Sequence, residues 1–183
     1  TDGYGTLFLT RSSQTAPHRN QPLTPDDIER RLRTIFDFAK RIVWIEHGHI
    51  IGDDTDGHID TLVRCAPAHT LLYMCTDDTD DPQYEELKLM EKQLQGLLTL
   101  EGNPYRLLRL PMPDAIYDNG ERLPATYANF VIINGAVIVP TYDQPKKDQK
   151  AMSIIQEAFP DRKIIGIDSR TPIRQHGSLH CLT

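Results

Sequence analysis

His58-Ile59-Asp60 and Cys181 are the residues of this chain whose types could carry covalent chemistry. Together they supply an imidazole acid/base, a carboxylate and a thiol nucleophile, a set suited to attack on a positively charged carbon centre. His58 and Asp60 follow the acidic run Asp53-Asp54-Thr55-Asp56-Gly57, and Cys181 closes the stretch His176-Gly177-Ser178-Leu179-His180-Cys181. If a strand begins at His58, the two-residue spacing turns both side chains to one face, as the floor of a pocket requires. A surface histidine–aspartate pair has the same spacing. The Cys181 thiol would need an imidazolium, a helix N-terminus or a cationic substrate nearby to become thiolate. A third buried thiol is the plain alternative.

Other chemistries fit these residues less well. With Gly57 as the sixth position of an EF-hand loop, Gly52 falls first and Val63 twelfth, where ligands are needed. Asp54-Thr55-Asp56-Gly57 is similar to the nucleophile loop of aspartate-based phosphohydrolases, yet only Ile50 and Ile51 precede it where a long apolar strand belongs. His176, His180 and Cys181 lack the second close-spaced pair of a zinc site, because Cys65 and Cys75 are too far apart to form one. No metal is expected. Cys65 and Cys75 end apolar runs and read as buried structural thiols, and three cysteines are too few for a disulfide framework.

The elements that must position these residues recur along the chain. Gly5 to Thr10 reads as a strand, with a polar loop through Pro22. Thr24-Pro25-Asp26-Asp27 then opens a helix: threonine can cap, proline fits the first turn, and the acids favour the positive end of the dipole. Ile28, Leu32, Ile35, Phe36 and Ala39 share its apolar face, and Arg41 to Glu46 follows as a strand. Next come strands at His58 to Arg64 and Thr70 to Cys75, joined through Pro67. A helix from about Gln83 to Leu100 buries Leu87, Met90, Leu94, Leu97 and Leu98, and a strand closes the unit at Tyr105 to Leu110. A third pass has strands at Ala128 to Ile133 and Ala136 to Thr141 around the hairpin turn Asn134-Gly135. Its helix runs from Lys147 to Phe159 with Ala151, Ile154, Ile155 and Ala158 inward, and its last strand spans Lys163 to Asp168. The pattern is a strand-strand-helix-strand module at a spacing of roughly 70 residues.

The 183 residues are enough for one domain with a real core, and the hydrophobic and charged shares of 39% and 25% are ordinary for a globular protein. A net charge of -6 without a basic patch argues against general nucleic-acid binding and suits a small cationic partner. No apolar run approaches a membrane span and no signal-peptide pattern opens the chain, so a cytoplasmic protein without membrane contact is expected. Asp2-Gly3-Tyr4-Gly5 looks like a hairpin turn with nothing before it, and Leu179 to Thr183 like an unpartnered first strand. The expectation is a single catalytic domain over 1–183, cut at both ends.

Asp54-Thr55-Asp56-Gly57-His58-Ile59-Asp60, Leu123-Pro124-Ala125-Thr126-Tyr127-Ala128-Asn129-Phe130 and the closing His180-Cys181 resemble the agmatine deiminase and bacterial-type peptidyl-arginine deiminase family. The resemblance covers essentially the whole chain. It implies the pentein fold, a five-bladed α/β propeller of ββαβ units of which roughly three blades lie here. It also implies Cys181 as nucleophile, His58 as general acid/base and Asp60 as a carboxylate gripping a substrate guanidinium. The implied reaction turns a guanidine into a ureido group and ammonia without metal or organic cofactor, with agmatine the leading substrate. Peptidyl-arginine, free arginine, or ligand binding without catalysis are the alternatives. Further acidic residues of the family's site would lie upstream, so this segment alone is expected to be inactive. The family also suggests a homo-oligomer. Where agmatine deiminases commonly carry a Gly-Gly-Gly-Asn-like stretch, this chain has His176-Gly177-Ser178-Leu179, which leaves the substrate open.

Overall fold

Two parallel strands open the computed structural model, which describes all residues, 1–183: β1 (Thr6–Thr10) and β2 (Arg41–Ile45) pair in register from Thr6 with Arg41 to Thr10 with Ile45. Between them lie a short helix α1 (Arg11–Thr15), in what the sequence presents as a polar loop, and α2 (Pro25–Ile35). Thr24 and Asp27 form the capping box that starts α2, each side chain bonding the other's backbone. Ile28 is the only residue of α2 that is buried, and Ile35 is 70% exposed, so most of the expected apolar face has no partner here.

Two complete modules follow. β3 (Val63–Ala66) runs antiparallel to β4 (Thr70–Cys75), and helix α3 (Tyr84–Gln95) returns the chain so that β5 (Arg106–Pro111) pairs parallel to β4. β4 is buried along its whole length, which is why Thr-Leu-Leu-Tyr-Met-Cys is a continuous apolar run. A small hairpin of β6 (Tyr117–Asp118) and β7 (Glu121–Arg122) leads to the next module. There β8 (Val131–Ile133) is antiparallel to β9 (Ala136–Thr141), and β10 (Lys163–Asp168) is parallel to β9 after helix α4 (Pro145–Ala158). The strand order β3-β4-β5 is repeated by β8-β9-β10, so the module inferred from the pattern is present twice, with a partial copy ahead of it.

Several expectations need correction. The second module does not begin as a strand at His58: Ile59–Thr61 is a 3₁₀ turn and β3 starts at Val63. Thr61 N and Oγ1 both donate to His58 O, and Leu62 N to Ile59 O, which closes a tight turn where a ladder was expected. Leu179 to Thr183 is not a strand either, because His180–Leu182 forms another 3₁₀ turn. α3 stops at Gln95, with Gly96 as its cap, so Leu97 is only half-buried and Leu98 is exposed instead of completing the helix face. In α4, Ala151, Ile155 and Ala158 are buried and Ile154 is half-buried. β8 is shorter than expected because Ala128, Asn129 and Phe130 are fully buried in irregular backbone ahead of the ladder.

The core is one contiguous cluster of 31 buried side chains, from Phe8 and Val43 through Leu72, Met90 and Tyr127 to Phe159 and Ile173. α4 packs on β4, β5 and β10, joining the two complete modules, while the Ile59–Thr61 turn touches both β1 and β3. That turn therefore sits where the partial first module meets the second. It carries Asp60.

Candidate active site

The acidic run before His58 is a self-bonded turn. Asp53 Oδ1 accepts from Thr55 N and Oγ1, and its Oδ2 accepts from Gly57 N at 2.7 Å. Thr55 Oγ1 in turn accepts from His58 N. Gly57 has a φ of +79°, favourable only for glycine, and its carbonyl accepts from the buried Thr10 Oγ1 at 2.6 Å. The Asp53 carboxylate is thus committed to holding the turn, and the run serves to deliver His58 and Asp60. Both line a cavity of about 200 Å³ together with Thr10, Ser13 and Gln14. The shared wall comes from the turn geometry and not from strand alternation. The His58 ring itself makes no protein hydrogen bond.

Asp60 is the hub of a second group. Its Oδ2 lies 2.7 Å from His180 Nδ1, accepts from Asn129 Nδ2 at 3.0 Å, and is 3.8 Å from Cys181 Sγ. All three contacts fall on Oδ2, and Oδ1 makes no hydrogen bond. Burial works against the charge on Asp60, but the His180 hydrogen bond, with the charges of His180, Arg64 and His58, holds the carboxyl below its ordinary value of 3.8. Asp60 and His180 also line an adjoining cavity of about 250 Å³ with Arg64, Cys65, Phe8 and Ile132.

Cys181 reaches this hub from the far end of the chain. Gly177 makes the approach possible: a Cβ there would stand 2.8 Å from Cys181 Cβ. Cys181 is exposed on its outer side, while Asn129 Nδ2 donates to its sulfur at 3.3 Å. Burial and the Asp60 carboxylate push the thiol above its ordinary value, against hydrogen bonds from the Ser178 backbone and Asn129 that lower it. Cys75 is buried and its thiol donates to Leu110 O at 3.3 Å, as expected of a structural cysteine. Cys65 is only half-buried, against expectation, although burial pushes its thiol up to about 11.

The structure thus brings Asp60 and Cys181 together and places His58 on the wall of a neighbouring cavity, without a hydrogen bond between His58 and Cys181. It adds two residues to which sequence reasoning gave no role. His180, read there only as a neighbour of the thiol, makes the shortest contact to Asp60. Asn129, quoted only within a motif, touches both Asp60 and Cys181. Its signal in the sequence was a polar residue inside the apolar run from Tyr127 to Val131.

Comparison with known proteins gives the same direction. A protein of Marinomonas sp. named "Putative agmatine deiminase" is 33% identical over the full chain, which corresponds to 53% of that protein. This chain therefore spans about half the length of the curated relatives it matches. A Porphyromonas gingivalis structure described as a "putative arginine deiminase" superposes with a TM-score of 0.96 at 49% identity, over 100% of this chain and 53% of that one. A C. jejuni agmatine deiminase with substrate bound gives 0.90 at 39% identity, over 98% of this chain and 52% of its own. The family model for the Porphyromonas-type peptidyl-arginine deiminase matches residues 1–183. The chain belongs to that family.

Proposed function

We propose that the protein hydrolyses a guanidine group to a ureido group and ammonia through a covalent intermediate on Cys181, with agmatine, giving N-carbamoylputrescine, as the leading substrate. The observation that carries this reading is the convergence of a cysteine sulfur and an ionised carboxylate with an unbonded Oδ1 on the border of a cavity. A guanidinium is a planar, resonance-stabilised cation and a poor electrophile. A carboxylate fixes its plane through charge-assisted hydrogen bonds and selects for positive charge.

The raised pKa of Cys181 fits a substrate-assisted reaction. Part of what raises it is the anion of Asp60, and a bound guanidinium would offset that charge and favour the thiolate. The thiolate then attacks the guanidino carbon, forming a C–S bond and a tetrahedral adduct. Ammonia departs with the C–N electron pair and a proton from His58, leaving an S-linked thiouronium. Water gives a proton back to His58 and attacks the same carbon. The C–S bond breaks as the hydroxyl proton leaves to solvent, releasing thiolate and ureido product. The ββαβ modules are read as blades of a five-bladed pentein propeller whose other blades complete the walls around Cys181, Asp60 and His58. A cytoplasmic homo-oligomer is part of the same reading.

The test is an acid quench of the intact protein during turnover of agmatine, followed by peptide mass analysis. An amidino adduct on the Cys181 peptide is expected, and it should be lost in Cys181→Ala. Continuous turnover with no adduct on that peptide, even at the shortest quench times, together with activity retained by Cys181→Ala, would exclude the covalent route.

A further inference from the structure

Helix α1 supplies part of the wall of the cavity that holds His58. Ser13 and Gln14 line it beside Thr10, from the end of β1. The hydrogen bonds of these three side chains form a series whose direction is fixed by counting protons. Thr10 Oγ1 spends its one hydrogen on Gly57 O at 2.6 Å, so the 2.7 Å bond between Thr10 Oγ1 and Ser13 Oγ is donated by Ser13. Ser13 Oγ then has no hydrogen left, and it accepts from Gln14 Nε2 at 3.3 Å. That sets the Gln14 amide. Nε2 faces Ser13, while Oε1 faces Asn20 Nδ2, which donates to it at 3.4 Å and to Gln14 O at 2.9 Å.

Thr10 and Ser13 are buried, whereas Gln14 is half-buried and reaches the cavity. Its Oε1 keeps a second lone pair without a protein partner. The His58 ring, also without a protein hydrogen bond, lines the same cavity of about 200 Å³. That space admits several waters, each taking about 30 Å³ in the liquid. The covalent reaction needs one of them. His58 gives its proton to the departing ammonia and must then receive one from water, so the water enters within hydrogen-bond reach of this imidazole. A water held by one bond can pivot, and a second bond to an oriented side chain aims its lone pair.

We propose that Gln14 is the positioning residue for the hydrolytic half of the reaction: its Oε1 accepts one hydrogen of the attacking water while His58 takes the other. The oxygen lone pair forms the C–O bond to the S-linked carbon. The C–S electron pair returns to Cys181, and the hydrogen held by Gln14 leaves to solvent. This deepens the reading of a thiouronium on Cys181 and rests on it. The first half of the reaction, C–S bond formation and loss of ammonia, consumes no water and should not sense Gln14.

The experiment is a single turnover with the intact protein in excess over agmatine, free arginine or a blocked arginyl peptide, for the unmutated chain and Gln14→Leu. Ammonia, ureido product and the mass of the Cys181 peptide are read in each acid-quenched sample. On whichever guanidine reacts, ammonia should appear at an unchanged rate. The lag between ammonia and ureido product should lengthen about tenfold in the variant, the size of effect expected for one lost hydrogen bond, with the adduct on Cys181 persisting through it. A structural role alone would slow both halves together, and that result overturns the inference. An unaltered lag in a folded variant overturns it as well. Melting curves accompany the kinetics, and Gln14→Met, closer in length, replaces Gln14→Leu if the latter does not fold. Should neither fold, a structure of the unmutated protein with the adduct trapped decides: a water bonded to both Gln14 and His58 is required, and a site without one overturns the inference. Ureido product formed with no adduct on Cys181 in either protein removes the covalent reading, and the role of Gln14 falls with it.

Discussion

At the residue scale, the proposed substrate contact and the hydrogen bonds that join His180 and Asn129 to the site all run through Asp60. Its depressed pKa has a definite sign for stability. The folded value lies below 3.8, so the stabilisation from its ion pair and hydrogen bonds is complete above that value and is lost as pH falls through the folded one. Asp60→Asn keeps the shape but removes the charge that a guanidinium needs. Losing one member of a hydrogen-bonded charge pair costs about 2–5 kcal/mol, so kcat/KM should fall by about thirtyfold or more. A variant with unaltered kcat/KM for a cationic guanidine would show that the substrate is held elsewhere. The sequence made Asp60, His58 and Cys181 visible because their residue types are chemically unusual in combination. His180 and Asn129 were hidden, because their importance lies in distances that only the fold creates.

At the scale of elements, the functional residues occupy corresponding places in successive modules. Asp60 lies just before β3 and Asn129 just before β8, while Cys181 follows β10, where a further module would begin. The connections ahead of the antiparallel strands thus build the site, and the modules serve to bring those connections together. Helix α4 supports one of them through Asp148. Its Oδ1 accepts from the hydroxyl of fully buried Tyr127 at 2.7 Å and from Tyr142 N at 3.0 Å, and its Oδ2 accepts from Gln144 N at 2.9 Å. Asp148→Ala would leave the Tyr127 hydroxyl buried and unpaired two residues from Asn129. Unfolding in denaturant should show a loss of about 2–3 kcal/mol, the usual cost of removing a charged acceptor and stranding a buried donor. A loss under half a kcal/mol would mean that water replaces the carboxylate. The central strands and helices were legible from periodicity, with β9 and β10 as expected from end to end. The 3₁₀ turns at Ile59–Thr61 and His180–Leu182 were not, because each is a single three-residue turn closed by local bonds and too short to leave a periodic trace.

At the scale of the whole molecule, several large apolar side chains of the first module and of the segment after α3 stand exposed. Tyr4, Ile35, Phe36, Phe38, Leu98 and Leu100 are exposed at 46%, 70%, 37%, 45%, 48% and 38%. The first sheet has only β1 and β2, so both of its edges are open. No helix is long and apolar enough to cross a membrane. With relatives about twice as long as this chain, activity is expected of the intact protein, and the 183-residue segment alone should be silent. The central claim is a guanidine hydrolysis that runs through Cys181. It is tested most directly by ammonia release from the intact protein offered agmatine, free arginine and a blocked arginyl peptide in parallel, beside its Cys181→Ala variant. Release is expected on one of the three, agmatine foremost, and should fall to background in the variant. Release that survives in Cys181→Ala, or no release on any of the three from a folded protein, would contradict it.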